Sequence, residues 1–352
     1  MKRFFVFLGV VFMTISSAVR AQEVDSIAPL QKSSWGDAKQ VDVAEYIPDV
    51  SLSMRAGYVQ DFAEKAGRFC GDGIYLDLNG KISPSFSYSI NQTIASRYID
   101  DVSGFNGTNW LKLTYEVGDF AISAGKDAVF VGSFEYDTED INSYYELNSM
   151  FYNMIYCWQW GISATYYPSE SQEISLQSTN SPLSYGKPNL FAYAAAWRGS
   201  WDWYESYWTA NLWQYSKSEY VKSLNFGNRF YLGAFTVDLE YMTRAHEING
   251  LFTNDFTTLI SPSYEWDWGR AFGKFCFEHI GANLPYELAY DVGNYMLYGA
   301  GLELFPLKEN KSLRAHAVWS ADNYGMNALN IGLTWIIDIT GSVKNIFGKS
   351  DK

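Results

Sequence analysis

Along much of the chain, apolar and polar residues alternate one for one. Leu52, Met54, Ala56 and Tyr58 are interleaved with Ser51, Ser53, Arg55 and Gly57. Ile74, Leu76, Leu78 and Ile82 alternate with Tyr75, Asp77, Asn79 and Lys81, and Leu111, Leu113, Tyr115 and Val117 with Lys112, Thr114 and Glu116. The same pattern returns at Trp158, Trp160, Ile162, Ala164 and Tyr166, and again at Leu329, Ile331, Leu333, Trp335 and Ile337. A period of two predicts β-strands with one apolar and one polar face. In the last strand that register sends Leu333 to the apolar side and Thr334 to the polar side.

A water-soluble sandwich also alternates. Two features favour a membrane barrel. The polar faces are built from Ser, Thr, Gly, Asn and Gln, as a water-filled lumen requires, and Trp, Tyr and Phe collect toward strand ends, as in interfacial girdles. The connections alternate as well. Tight ones fall near Ser83-Pro84, Gly118-Asp119, Pro168-Ser169, Gly199 to Asp202, Leu232-Gly233, Asp267 to Gly269 and Pro306 to Lys311. Longer ones fall around 62–71, 96–108, 127–155, 180–188, 215–220, 244–255, 280–293 and 320–326. The predicted fold is all-β, a closed transmembrane antiparallel barrel of about sixteen strands with short periplasmic turns and longer external loops. Such a width leaves an aqueous channel that wall side chains do not fill. Pro262, inside the candidate strand 256–266, and Asn228, on the apolar face of 221–230, fit this register badly.

Residues 1–21 read as a signal peptide: Lys2 and Arg3, an apolar stretch over 4–15, and the small-residue cleavage site Val19-Arg20-Ala21. Residues 22–48 are polar and unpatterned, a periplasmic leader; the barrel is expected over 49–339 and a tail over 340–352. The expected location is the bacterial outer membrane, in contact with its lipid.

Composition narrows the functional classes. The 352 residues carry 26 Lys and Arg against 39 Asp and Glu, so no basic surface is available for nucleic acid. Three Cys are too few for a disulfide framework or a zinc site. His246, His279 and His316 stand apart, with no ligand spacing around them. No Ser–His or Asp–His set of the kind a barrel hydrolase needs is visible, so neither an enzyme, a metal nor a cofactor is expected.

Two groups of candidate residues remain. Connection 127–155, the third external loop, is roughly thirty residues long, a length that calls for a function or for order against something else. It carries Glu135, Asp137, Glu139, Asp140 and Glu146 among interleaved Phe134, Tyr136, Tyr144, Tyr145, Phe151 and Tyr152. Either it folds into the lumen as a constriction, or it is a solvated surface loop. By strand parity Arg55, Lys112, Arg198, Lys274 and Arg314 point inward, opposite Glu116, Asp238, Glu240, Glu278 and Glu303. These form a transverse field across a pore, or merely the wet face of a wet barrel.

Three stretches resemble the phosphate-selective porin O and P family. They are Gly73-Ile74-Tyr75-Leu76-Asp77-Leu78-Asn79-Gly80-Lys81-Ile82 with Phe86-Ser87-Tyr88; residues 111–115 with Gly125-Lys126, Val131-Gly132 and Glu135; and Tyr298-Gly299-Ala300-Gly301-Leu302-Glu303 with Phe305-Pro306 and Leu313-Arg314-Ala315-His316. The resemblance implies sixteen strands, a homotrimer and a third loop folded inward. Phosphate-selective members line the pore with many Arg and Lys. This chain has few inward bases and an acidic third loop, so no phosphate-binding residues carry over. The expected function is a porin passing ions and small hydrophilic solutes. The alternative is a non-conducting barrel serving as a surface adhesin or complex scaffold.

Overall fold

The computed structural model describes residues 47–97, 102–138, 140–184, 186–281, 291–307 and 311–341. The signal peptide, nearly all of the leader and most of the tail expected from the sequence lie outside the described residues. So does Glu139.

Sixteen strands follow in order. They are β1 (Asp49–Asp61), β2 (Ala66–Ser83), β3 (Phe86–Ser96), β4 (Thr108–Val117), β5 (Phe120–Ala128), β6 (Trp158–Ser169), β7 (Gln172–Asn180) and β8 (Phe191–Trp201). Then come β9 (Tyr204–Ser216), β10 (Glu219–Leu232), β11 (Phe235–Thr243), β12 (Asp255–Trp266), β13 (Gly269–Ile280), β14 (Gly293–Leu304), β15 (Leu313–Asp322) and β16 (Asn327–Asp338). Each pairs antiparallel with its sequence neighbours, and β1 pairs with β16 to close a barrel. Closure leaves no unpaired strand edge, a requirement in a solvent that cannot hydrogen-bond to the backbone.

The alternation in sequence becomes two faces. Ile122, Ile162, Leu176, Ile331 and Leu333 are exposed on the outer wall, a lipid-facing band. The inner wall holds Arg55, Gln177, Asn211, Asn225, Glu278 and Glu303, all buried. Thr334 does face inward, but it is fully buried beneath the third loop rather than washed by water.

Polar residues on the outer wall find partners. The Asn228 side-chain oxygen accepts from the Tyr204 hydroxyl at 2.7 Å and Trp208 Nε1 at 3.1 Å, which removes the objection to that register. Lys126, also on the outer face, donates to the carbonyls of Phe105 at 2.9 Å and Thr108 at 2.6 Å. Pro262 sits within β12, where the β12–β13 pairing skips from Ile260 to Ser263, and Gly273 lies opposite its ring. A Cβ at Gly125, whose φ is +134°, would meet the Leu111 carbonyl oxygen at 2.1 Å, so only glycine allows β4 and β5 to approach here.

Three outer connections are tighter than the sequence led us to expect. β1–β2 is joined by 62–65, β9–β10 by 217–218 and β15–β16 by 323–326. The flanking residues continue as strand, held by cross-strand pairs. Phe69 packs edge-on against Tyr58 with centroids 5.1 Å apart, and Ser216 bonds Glu219 at 2.7 Å.

Because Ile162 meets lipid and Ser163 faces open lumen, Ile162→Arg should destabilise the barrel by about 2–4 kcal/mol if it lies near the bilayer midplane, and Ser163→Arg far less. Urea unfolding of each variant in lipid vesicles measures the difference; equal losses would contradict the register of β6.

Candidate functional site

The third loop, between β5 and β6, does not stand in solvent. It contains two short helices, α1 (Phe134–Asp137) and α2 (Met150–Met154), with a 3-10 turn at Asp140–Asn142 between them. Val131, Phe134, Tyr144 and Phe151 on this loop are almost completely buried. Val131 and Phe151 pack with the inner-wall side chains Trp213, Val221 and Met242, and Phe134 with Ala196 and Tyr207.

Each helix is fastened to the wall in the same way. A helix N-terminus has N–H groups with no partner inside the helix, and a carboxylate there is favoured both as acceptor and by the helix dipole. At α1, the Ser133 side chain caps Tyr136 N at 3.3 Å, while Glu240 on β11 accepts from Phe134 N at 3.0 Å and Glu135 N at 3.1 Å. At α2, Ser149 caps Tyr152 N at 3.0 Å, while Glu278 on β13 accepts from Met150 N at 2.8 Å and Phe151 N at 3.2 Å. Both wall glutamates are buried. Before α1, the Val131 carbonyl accepts from Thr209 Oγ1 at 2.8 Å and from the Asn225 side chain.

The middle of the loop is held by the opposite wall. Arg55 on β1 donates to the carbonyls of Ile141 at 3.2 Å and Ser143 at 2.7 Å, and its Nε bonds Asp72 at 2.9 Å. Tyr144 stacks on His316 with centroids 4.2 Å apart and donates its hydroxyl to Glu303. Burial, with the neighbouring Glu303 charge, pushes the Tyr144 phenol above its ordinary range, so it remains the donor. Glu303 also meets Arg270 at 3.0 Å and Arg314 at 3.5 Å.

Every loop acid with a described side chain meets a wall base. Glu135 pairs with Lys274, and its carboxylate also accepts from Ser149 Oγ at 2.6 Å. Asp137 pairs with Arg198 at 2.6 Å, and Glu146 with Arg97 at 2.6 Å. Arg198 lies over the Tyr207 ring at 4.1 Å. The wall pairs internally too: Lys112 with Asp127 at 2.8 Å, and Arg229 with Asp238 through contacts of 2.6 and 2.8 Å.

Of the wall residues singled out in the sequence, Arg55, Arg198, Glu240, Lys274, Glu278 and Glu303 touch the loop directly, and Arg314 reaches it through Glu303. Lys112 and Asp238 pair along the wall. Glu116 is exposed at the end of β4, where its backbone N–H reaches Ser85 in a short turn, away from the loop. The sequence reading missed Asp72, Arg97, Arg229, Arg244 and Arg270. Arg97 and Asp72 are 3.0 Å apart in the cluster that also holds Arg55 and Glu146.

Between the loop and the β10–β13 wall a cavity of about 500 Å³ stays open. On the other side, a smaller space is lined by Trp110, Lys112, Asp137 and Tyr152. The loop therefore divides the lumen without filling it.

Residues 69–202 match the family described as phosphate-selective porin O and P. No curated protein matches the chain. Among solved structures, a substituted variant of the Rh. blastica porin is similar at 12% identity, with a TM-score of 0.56 over 82% of this chain and 100% of that one. The outer membrane channel DcaP of Acinetobacter baumannii is similar at 9% identity, with a TM-score of 0.59 over 82% and 96% of the respective chains. A loop-deletion mutant of OmpT, an outer membrane protein of Vibrio cholerae, is similar at 11% identity, with a TM-score of 0.54 over 83% and 100%. At these identities the likeness is one of fold.

The two glutamate anchors make a direct prediction. Hydrogen bonds to a charged group contribute about 1.5–3 kcal/mol each, so Glu240→Ala with Glu278→Ala should free the loop while leaving the strand ladder intact. The double variant should migrate differently on a gel with and without boiling, as expected of an intact barrel, yet limited proteolysis should cut within 134–154 much faster than in the parent. An unchanged cleavage rate would mean the loop is held elsewhere.

Proposed function

Taking the chain as an outer-membrane porin, related through residues 69–202 to the phosphate-selective porin O and P family, we propose that its third loop forms the constriction through which ions and small hydrophilic solutes diffuse. The observation that carries this reading is the pinning of the loop across the lumen of a sixteen-strand barrel. It is held by Glu240 and Glu278 on one side and by Arg55 and Glu303 on the other. A barrel this wide conducts unless something closes it, and here space remains on both sides of the loop. No cofactor, metal or catalytic group is part of this reading. The oligomer that goes with it is a homotrimer, which the mass of the detergent-solubilised protein tests.

The constriction loop is acidic in sequence, but Glu135, Asp137 and Glu146, its acids with described side chains, each meet a base. The residues we assign to the filter are Glu135, Asp137 and Glu146, with Arg198, Lys274 and Arg97 opposite them. Selectivity then depends on which partner of each pair is removed, because the survivor is left facing the lumen in a region of focused field.

The Asp137–Arg198 pair is the best probe, since both side chains are partly exposed, at 42% and 29%. Asp137→Asn should shift the reversal potential toward anions, and Arg198→Gln toward cations, in planar bilayers under a salt gradient. The shifts should shrink as salt rises, because the screening length falls to about 3 Å at 1 M. If neither substitution moves the reversal potential at low salt, this pair lies off the conduction path.

A further inference from the structure

We propose that the cavity between the third loop and the β10–β13 wall is a binding site for neutral polyhydroxylated solutes of sugar size. The inference rests on the channel reading above and names the solute class that this lumen retains.

Size is the first argument. The cavity, about 500 Å³, lies in the range of small-molecule sites and is far larger than an inorganic anion needs. Charge is the second. The three bases that line it are already committed. Arg229 is held by Asp238 through two contacts, Arg270 by Glu303, and Lys274 by Glu135 with further contacts to the Leu147 carbonyl and Asn148. An entering phosphate would find no uncompensated cation, and it would meet the carboxylates of Asp238 and Glu135 at the same surface. A neutral solute carries no such penalty.

Hydrogen bonding is the third argument. The lining includes the hydroxyl residues Thr236, Ser261 and Ser263, all partly exposed. Each of these side chains offers a solute hydroxyl both a donor and an acceptor. A hydroxyl also donates, which phosphate oxygens without protons do not. It can therefore bond the paired carboxylates as well as the guanidinium edges. The fourth argument is apolar surface. Tyr145, Phe272 and Tyr231 line the same space, with Tyr145 edge-on to Phe272 at 5.8 Å. Rings beside hydrogen-bonding side chains suit a molecule with C–H faces and a hydroxyl rim.

The test uses the full mature protein in planar bilayers, with sucrose and inorganic phosphate as separate probes of the ion current. Sucrose should block the current saturably and at lower concentration than phosphate. Phe272→Ala should raise the half-blocking sucrose concentration about tenfold. Thr236→Val, a smaller change that keeps the packing if the first variant misfolds, should raise it roughly two- to tenfold. Ser163→Ala, on the β6 wall, should leave the block unchanged. A purely linear, viscosity-like fall with sucrose, or tighter block by phosphate, would overturn the inference while the porin reading stands. A barrel with no ion current at all would overturn both.

Discussion

In the hydrocarbon region of a membrane no water satisfies a backbone N–H or C=O, so each must find its partner on a neighbouring strand. The pairing of β1 with β16, from Ser51↔Asp338 to Asp61↔Ala328, is therefore the contact on which the rest depends. Without it two open edges face lipid. With it, sixteen strands define a cylinder whose width exceeds what wall side chains fill. Closure solves the backbone problem and creates a second one, an oversized lumen. The third loop answers the second problem.

That loop has only the inner face of the wall for partners, and strand alternation makes that face polar. The loop's own composition fits this. Its apolar residues Val131, Phe134 and Phe151 are buried within and beneath it, and its acids reach outward to wall bases. Its helix ends present N–H groups, so the wall meets them with Glu240 and Glu278. A buried carboxylate without partners would be strongly unfavourable. Here each accepts from two consecutive backbone amides, and Glu278 also accepts from Thr257 Oγ1 at 2.6 Å.

Most strand positions, the two faces and the length of the third loop were legible in the sequence because each follows from a period of two and from connection length, whereas whether that loop enters the lumen stayed open. The partners across the lumen were not. They depend on which residues of distant strands share a height, and a single strand's pattern carries no such information. Asp72 shows how local irregularity defeats parity. Counting back from Ile74 in steps of two sends it to the lipid side. In the structure Arg55 pairs with Gly73 and Ala56 with Gly71, so Asp72 is the extra residue of a bulge and its fully buried carboxylate meets Arg55 and Arg97. Lys126 is the converse case. It lies on the outer face, and what the sequence hides is the covering chain whose carbonyls receive it. Alternation weakens over residues 62–71, yet strand pairing runs on through Ala66 to Gly71.

Net charge is a poor guide to what such a lumen does. The whole chain is acidic, with a formal charge of −13, and its third loop carries acids without bases after Lys126. Counted on the loop alone, this reads as a negative ring. Counted across the gap, Lys274, Arg198 and Arg97 answer Glu135, Asp137 and Glu146 pair by pair, the loop acids whose side chains are described. The field inside is therefore a set of short transverse dipoles rather than a uniform potential. Dipoles orient and hydrogen-bond a passing molecule, but they attract neither sign of ion over distance. The interactions that hold the loop in place thus also fix what the pore is able to distinguish.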